Sequence, residues 1–101
     1  RIKWEDNAEK INLMVRAFNP FPGAWTRISG DNTRIKILKS EVVKKKIISH
    51  RNLVIGDVSD NLEVKCGKDF LKIIELQLEG KNVLNRVEFL NGYKIKNLIL
   101  E

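Results

Sequence analysis

The chain has 101 residues, is 43% hydrophobic and 32% charged, and carries a formal net charge of +6. That suits one soluble globular domain over 1–101 with a single core, and is too apolar for a disordered tail. No apolar run reaches the length of a membrane span, no leader of the secretory type is visible, and one cysteine excludes an internal disulfide.

Residues 5–17 are expected to form a helix. Ala8, Ile11, Met14, Val15 and Phe18 recur at three- and four-residue spacings and share one face. Asp6 with Glu9 offers a capping box, and Trp4 lies just before it, placed to staple the first turn. Pro20 and Pro22 then end the helix and force extended backbone. Gly23 permits an unusual angle or a close approach. Phe18, Phe21, Trp25 and Phe70 fall on apolar patterns and are expected in the core.

After the prolines the period changes to two. Residues 25–28 read as a strand, 30–33 as a turn, and 34–38 as the returning strand, with 41–48 continuing it. Further strands are expected over 52–59, 62–66, 70–78 and 93–100. The apolar phase of 70–78 switches between Ile73 and Ile74, which a β-bulge there, a device that bends strands in small closed barrels, would reconcile on one buried face; the alternative is a strand covered on both faces. Asn85 with Glu88 caps a short helix that Gly92 stops. The expected fold is mainly β: a small OB-like β-barrel with an N-terminal helix and a short C-terminal helix. Periodicity alone does not separate it from a sandwich.

Catalytic chemistry is scarce. Cys66 sits on an alternating strand pattern and reads as a buried thiol. His50, the single histidine, lies in a basic loop, so neither a nucleophile pair nor a zinc spacing is available. No catalytic, cofactor-binding or metal site is expected. Charge is the stronger signal. Between residues 31 and 51, Arg34, Lys36, Lys39, Lys44, Lys45, Lys46 and Arg51 face only Asp31 and Glu41, a net of +5. Such a cluster attracts a polyanion. Arg34 and Lys36 alternate onto one strand face, whereas the three consecutive lysines reach outward together only from a loop.

The string RAFNPFPGAWT at 16–26 resembles a signature of the C-terminal domain of methionyl-tRNA formyltransferase. So do, in the same order, Ile2 with Trp4, VKCG at 64–67, LKI at 71–73, LQLEGK at 76–81 and EFLNG at 88–92. The resemblance covers nearly the whole chain. It implies an OB-like barrel that presents a basic surface to initiator methionyl-tRNA. It also implies an N-terminal formyltransferase domain in cis that uses 10-formyltetrahydrofolate. The single cysteine, the lack of a long apolar run and the lack of zinc spacing point separately to a cytoplasmic setting with no membrane and no metal. The abrupt start at Arg1 fits a piece of such a protein. On this reading Arg34, Lys36, Lys39, Lys44, Lys45, Lys46, Arg51 and Lys81 bind RNA, and the domain alone catalyses nothing. Two departures bear on those residues: Arg51-Asn52 replaces a Pro-Gly turn, and Gly80-Lys81-Asn82 keeps one lysine of the family's pair. The alternative is a non-RNA module that orients a formyltransferase-like enzyme of the folate dehydrogenase or sugar formyltransferase type.

Overall fold

Asn7 starts the first helix in the computed structural model, which describes residues 1–19, 21–31, 33–44, 53–94 and 98–101. Helix α1 spans Ala8–Phe18, and the Asn7 side chain accepts from the Lys10 N–H at 2.8 Å. The cap is therefore one residue later than the expected Asp6–Glu9 box. A tertiary contact decides it: Ala8 N donates to the Lys68 carbonyl at 3.0 Å, so the helix entry is tied to the turn before a distant strand. Asp6 instead pairs with Lys10 at 3.6 Å. Ala8, Ile11 and Val15 form the buried stripe. Phe18 closes the helix but is 43% exposed, and Phe21 is 86% exposed, contrary to their expected place in the core. Gly23 N donates to the Phe18 carbonyl at 2.9 Å, so the loop doubles back and turns its aromatic side chains outward.

Strands β1 (Ala24–Arg27) and β2 (Arg34–Val43) form an antiparallel hairpin. Its turn is held by Asp31, whose carboxylate accepts from the Thr33 N–H at 2.9 Å and the Thr33 hydroxyl at 2.8 Å. Strand β3 (Glu63–Lys65) returns as β4 (Phe70–Leu78), and β5 (Val83–Asn85) follows. The order is β1-β2-β4-β3, with β5 pairing β4 at 75–77, beyond the 70–72 stretch that β3 takes. Between β2 and β4 the register passes from Ile37↔Leu76 to Lys39↔Glu75 and then Ser40↔Ile73. Leu38 is thus an extra residue on β2, and Ile74 an extra residue on β4. The expected bulge near Ile73 and Ile74 is present, and it keeps Leu71, Ile73, Leu76 and Leu78 all buried.

Over the described residues, the strands expected at 52–59 and 93–100 are not regular strands; residues 52 and 95–97 of those spans lie outside them. Residues 54–57 form a turn, with Asp57 N donating to the Val54 carbonyl at 3.1 Å and Gly56 at φ +96°. A Cβ at Gly56 would meet the Leu100 carbonyl oxygen, so that passing strand and a side chain cannot both occupy the site. The two segments still complete the barrel. Residues 56–59 bond to β3, Leu100 N donates to the Gly56 carbonyl, and Glu101 exchanges two backbone bonds with Arg27 on the free edge of β1. The ring runs β1, β2, β4, β3, 56–59, 98–101 and back to β1, which leaves fewer unpaired edges. Helix α1 packs on β2 and β4 across the barrel, and Ile2, Trp4, Ile35, Ile37, Leu62 and Val64 fill it. Helix α2 (Arg86–Gly92) has the expected Asn85–Glu88 capping box and buries Phe89.

Candidate nucleic-acid interface

The outer face of the β1–β2 hairpin gathers cations because inward and outward residues alternate. Ala24 and Thr26 are buried, so Trp25 and Arg27 point outward; Ile35 and Ile37 are buried, so Arg34 and Lys36 do too. Register then places Arg27 directly opposite Arg34, and Trp25 opposite Lys36. Like charges in direct cross-strand positions repel and destabilise a sheet. The Trp25 ring takes part of that charge: the Arg34 guanidinium lies 3.9 Å from its centroid, Arg27 5.5 Å and Arg1 5.7 Å. Such stacking contributes about 0.5–1 kcal/mol at exposed sites. Arg27 Nε is buried with no hydrogen-bond partner among the described residues.

The bulge at Leu38 extends this face. Without it Lys39 would share the inward phase of Ile35 and Ile37. With it, Lys39 is exposed, and Ser40 turns inward to donate its hydroxyl to Asn12 Oδ1 on α1 at 2.6 Å. Arg34, Lys36 and Lys39 therefore lie on one face, as the alternation of the first two predicted. Lys81 is exposed in the β4–β5 turn beside them, where Gln77 Nε2 donates to its carbonyl at 2.8 Å. Among the described residues none of these four cations forms an ion pair. Lys44 differs: it is exposed but sits 3.3 Å from Glu9, which weakens its pull on an anion. Lys45, Lys46, Arg51 and His50 lie outside the described residues.

A cleft of about 360 Å³ opens on the same face, lined by Pro22, Trp25, Arg34, Lys36, Gln77 and Glu79 among others. Its floor is fixed by backbone. Glu79 N donates to the Arg34 carbonyl at 2.9 Å, and the Lys36 stem lies over Gly23, where a Cβ would come within 2.8 Å of it. Trp25, Arg27 and Arg1 were not among the sequence-predicted contacts. The turn at 30–33 held the signal for Arg27, since a hairpin closing there pairs 27 with 34.

The Cys66 thiol is withheld from nucleophile chemistry. Cys66 is fully buried, and burial pushes its thiol from 9.0 up to about 12. No group of three or more His, Cys, Asp or Glu side chains is placed to hold a metal among the described residues. No helix among them is long and apolar enough to cross a membrane.

Comparison with known proteins gives the family. The family described as "Formyl transferase, C-terminal domain" matches residues 1–94. Methionyl-tRNA formyltransferase of Rickettsia bellii (strain RML369-C) is 44% identical over 95 residues, covering 93% of this chain and 29% of that protein. The enzyme of the same name from Rickettsia felis (strain ATCC VR-1525 / URRWXCal2) is 39% identical, covering 100% of this chain and 32% of its own. The one from Carboxydothermus hydrogenoformans (strain ATCC BAA-161 / DSM 6008 / Z-2901) is 39% identical, covering 92% and 30%. The chain thus spans about a third of the length of these relatives, and it belongs to the formyl transferase C-terminal domain family.

Proposed function

We propose that this domain binds initiator methionyl-tRNA and positions it for N-formylation by a catalytic domain in cis, during translation initiation in the cytoplasm. The observation that carries the reading is the cross-strand Arg27–Arg34 pair, continued along one outer face by Lys36 and Lys39, with no carboxylate paired to any of them among the described residues. Repulsion between Arg27 and Arg34 is relieved when a phosphate settles between them. Contacts of this kind fix the register of an RNA without reading its sequence. Lys81 extends the same surface, and Lys44, Lys45, Lys46 and Arg51 are assigned to its periphery.

The one-carbon donor, 10-formyltetrahydrofolate, is assigned to the remainder of the longer polypeptide. No step of the transfer is routed through these residues. What they supply is binding energy and orientation, which lower the entropic cost of bringing the aminoacyl end to a distant reacting centre.

Titration of the chain with initiator tRNA at two salt concentrations tests the reading. The expected result is modest affinity that falls steeply with salt, since each neutralised phosphate releases counterions and adds about 0.9 (duplex) or 0.7 (single strand) to the slope. Arg34→Gln or Lys39→Gln should each lower the slope by about one contact under that rule. No binding at low salt would favour the orienting module with a non-RNA substrate.

A further inference from the structure

We propose that the cleft beside Trp25 holds one unpaired nucleotide of the bound RNA, its base layered on the Arg34 guanidinium and its phosphate against Lys36; this rests on the RNA-binding reading above. Contacts to phosphate alone do not account for what the cleft contains. Trp25 is only half-buried, and the group covering its ring is a guanidinium 3.9 Å away. Arg34 is itself exposed, so its outer plane is available above the indole. A planar cation lying on an aromatic ring is a surface on which a base stacks, and it favours no particular base. Lys36, opposite Trp25 in the hairpin, brings an ammonium to the same cleft, with its stem guided over Gly23. Gln77, opposite Lys36 on β4, uses one amide N–H on the Lys81 carbonyl and keeps its amide oxygen for a base edge.

Size and accessibility select the ligand. About 360 Å³ is at the lower end of ligand pockets, roughly 300–1,000 Å³, so the cleft admits a single nucleotide. Bases inside a duplex hide their faces in the stack, so only an unpaired base reaches the guanidinium plane. Phe21 strengthens the assignment. It is 86% exposed and precedes Pro22, which lines the cleft, so a second aromatic ring is open to solvent one residue from the lining.

The test uses three RNA probes: a blunt duplex, the same duplex with a short single-stranded extension, and that extension made abasic. The last two carry equal phosphate charge, so they differ only in bases. The chain is expected to prefer the base-bearing extension to the abasic one by at least about fivefold, with quenching of Trp25 fluorescence, since base stacking on side chains is of that order or more. Arg34→Lys keeps the charge and removes the plane. It should erase the preference while leaving the salt slope unchanged. Equal affinity for the two extensions, or an undiminished preference in Arg34→Lys, would overturn the nucleotide cleft while RNA binding stands. Failure of all three probes to bind at low salt would overturn the RNA-binding reading, and the cleft with it.

Discussion

The indole N–H of Trp4 donates to the Thr26 hydroxyl at 2.9 Å, and that hydroxyl donates onward to the Glu101 carbonyl at 2.8 Å. Trp4 and Thr26 are both buried. One side chain on β1 therefore joins the segment before α1 to the last residue of the chain. Thr26→Val keeps the shape and removes the relay, leaving a buried indole N–H and a carbonyl with one partner fewer. The expected loss is about 1–3 kcal/mol, read as a lower urea midpoint with unchanged slope. Thr26→Ser should recover most of it. A valine variant as stable as the parent would show that the relay contributes nothing net.

Helix α2 spans only Arg86–Gly92, so its stability leans on its ends. Asn85 Oδ1 accepts from the Glu88 N–H at 2.8 Å, and Glu88 Oε1 accepts from the Asn85 N–H at 2.9 Å. This box holds Phe89 in the core and stacked on Tyr93, ring centroids 4.8 Å apart. Asn85→Ala should cost about 1 kcal/mol. Asn85→Asp, which still accepts and suits the helix dipole, should cost much less. Thermal unfolding of the two variants checks the difference.

These contrasts show which features local sequence carries. The α2 box and the phase switch in β4 involve neighbours in the chain, so both were legible. The α1 cap was not, because Asp6 and Asn7 are both good caps and the Lys68 carbonyl, far away in sequence, chose between them. Phe21 was misread for a related reason. An apolar residue between two prolines has no periodic partner, and only the fold shows that nothing covers it. At the interface, alternation alone put Arg34 and Lys36 together. Bringing Arg27 and Trp25 to them needed the hairpin register, and Lys39 joined because of a bulge on β2 that no pattern marked.

Cys66 gives a prediction in pH. Its folded thiol is raised to about 12 from 9.0, chiefly by loss of solvent around the thiolate. A raised acid favours the folded state while it stays protonated. The contribution is complete below pH 9 and is lost as pH climbs toward about 12. The parent chain should therefore lose stability across that alkaline window more steeply than Cys66→Ala. Iodoacetamide should label the native thiol only as fast as the chain opens. Parallel alkaline dependence in both proteins, or rapid native labelling, would contradict this.

Gly23 links the proline loop to the interface. Its φ of +90° is unfavourable for a side chain, and a Cβ there would meet Lys36 Cδ and Cε at 2.8 Å. Gly23→Ala thus carries two penalties. The backbone strain should cost about 1–2 kcal/mol of stability. The displaced Lys36 should also cost about one phosphate contact in the salt slope for tRNA. Lys36→Met separates the effects, because it removes the charge and keeps an unbranched stem over Gly23. Urea unfolding should show it near the parent, while its salt slope should match that of Gly23→Ala. If Gly23→Ala kept the parent's slope, Lys36 would be free to reach phosphate from either position, and the packing over Gly23 would matter to stability alone.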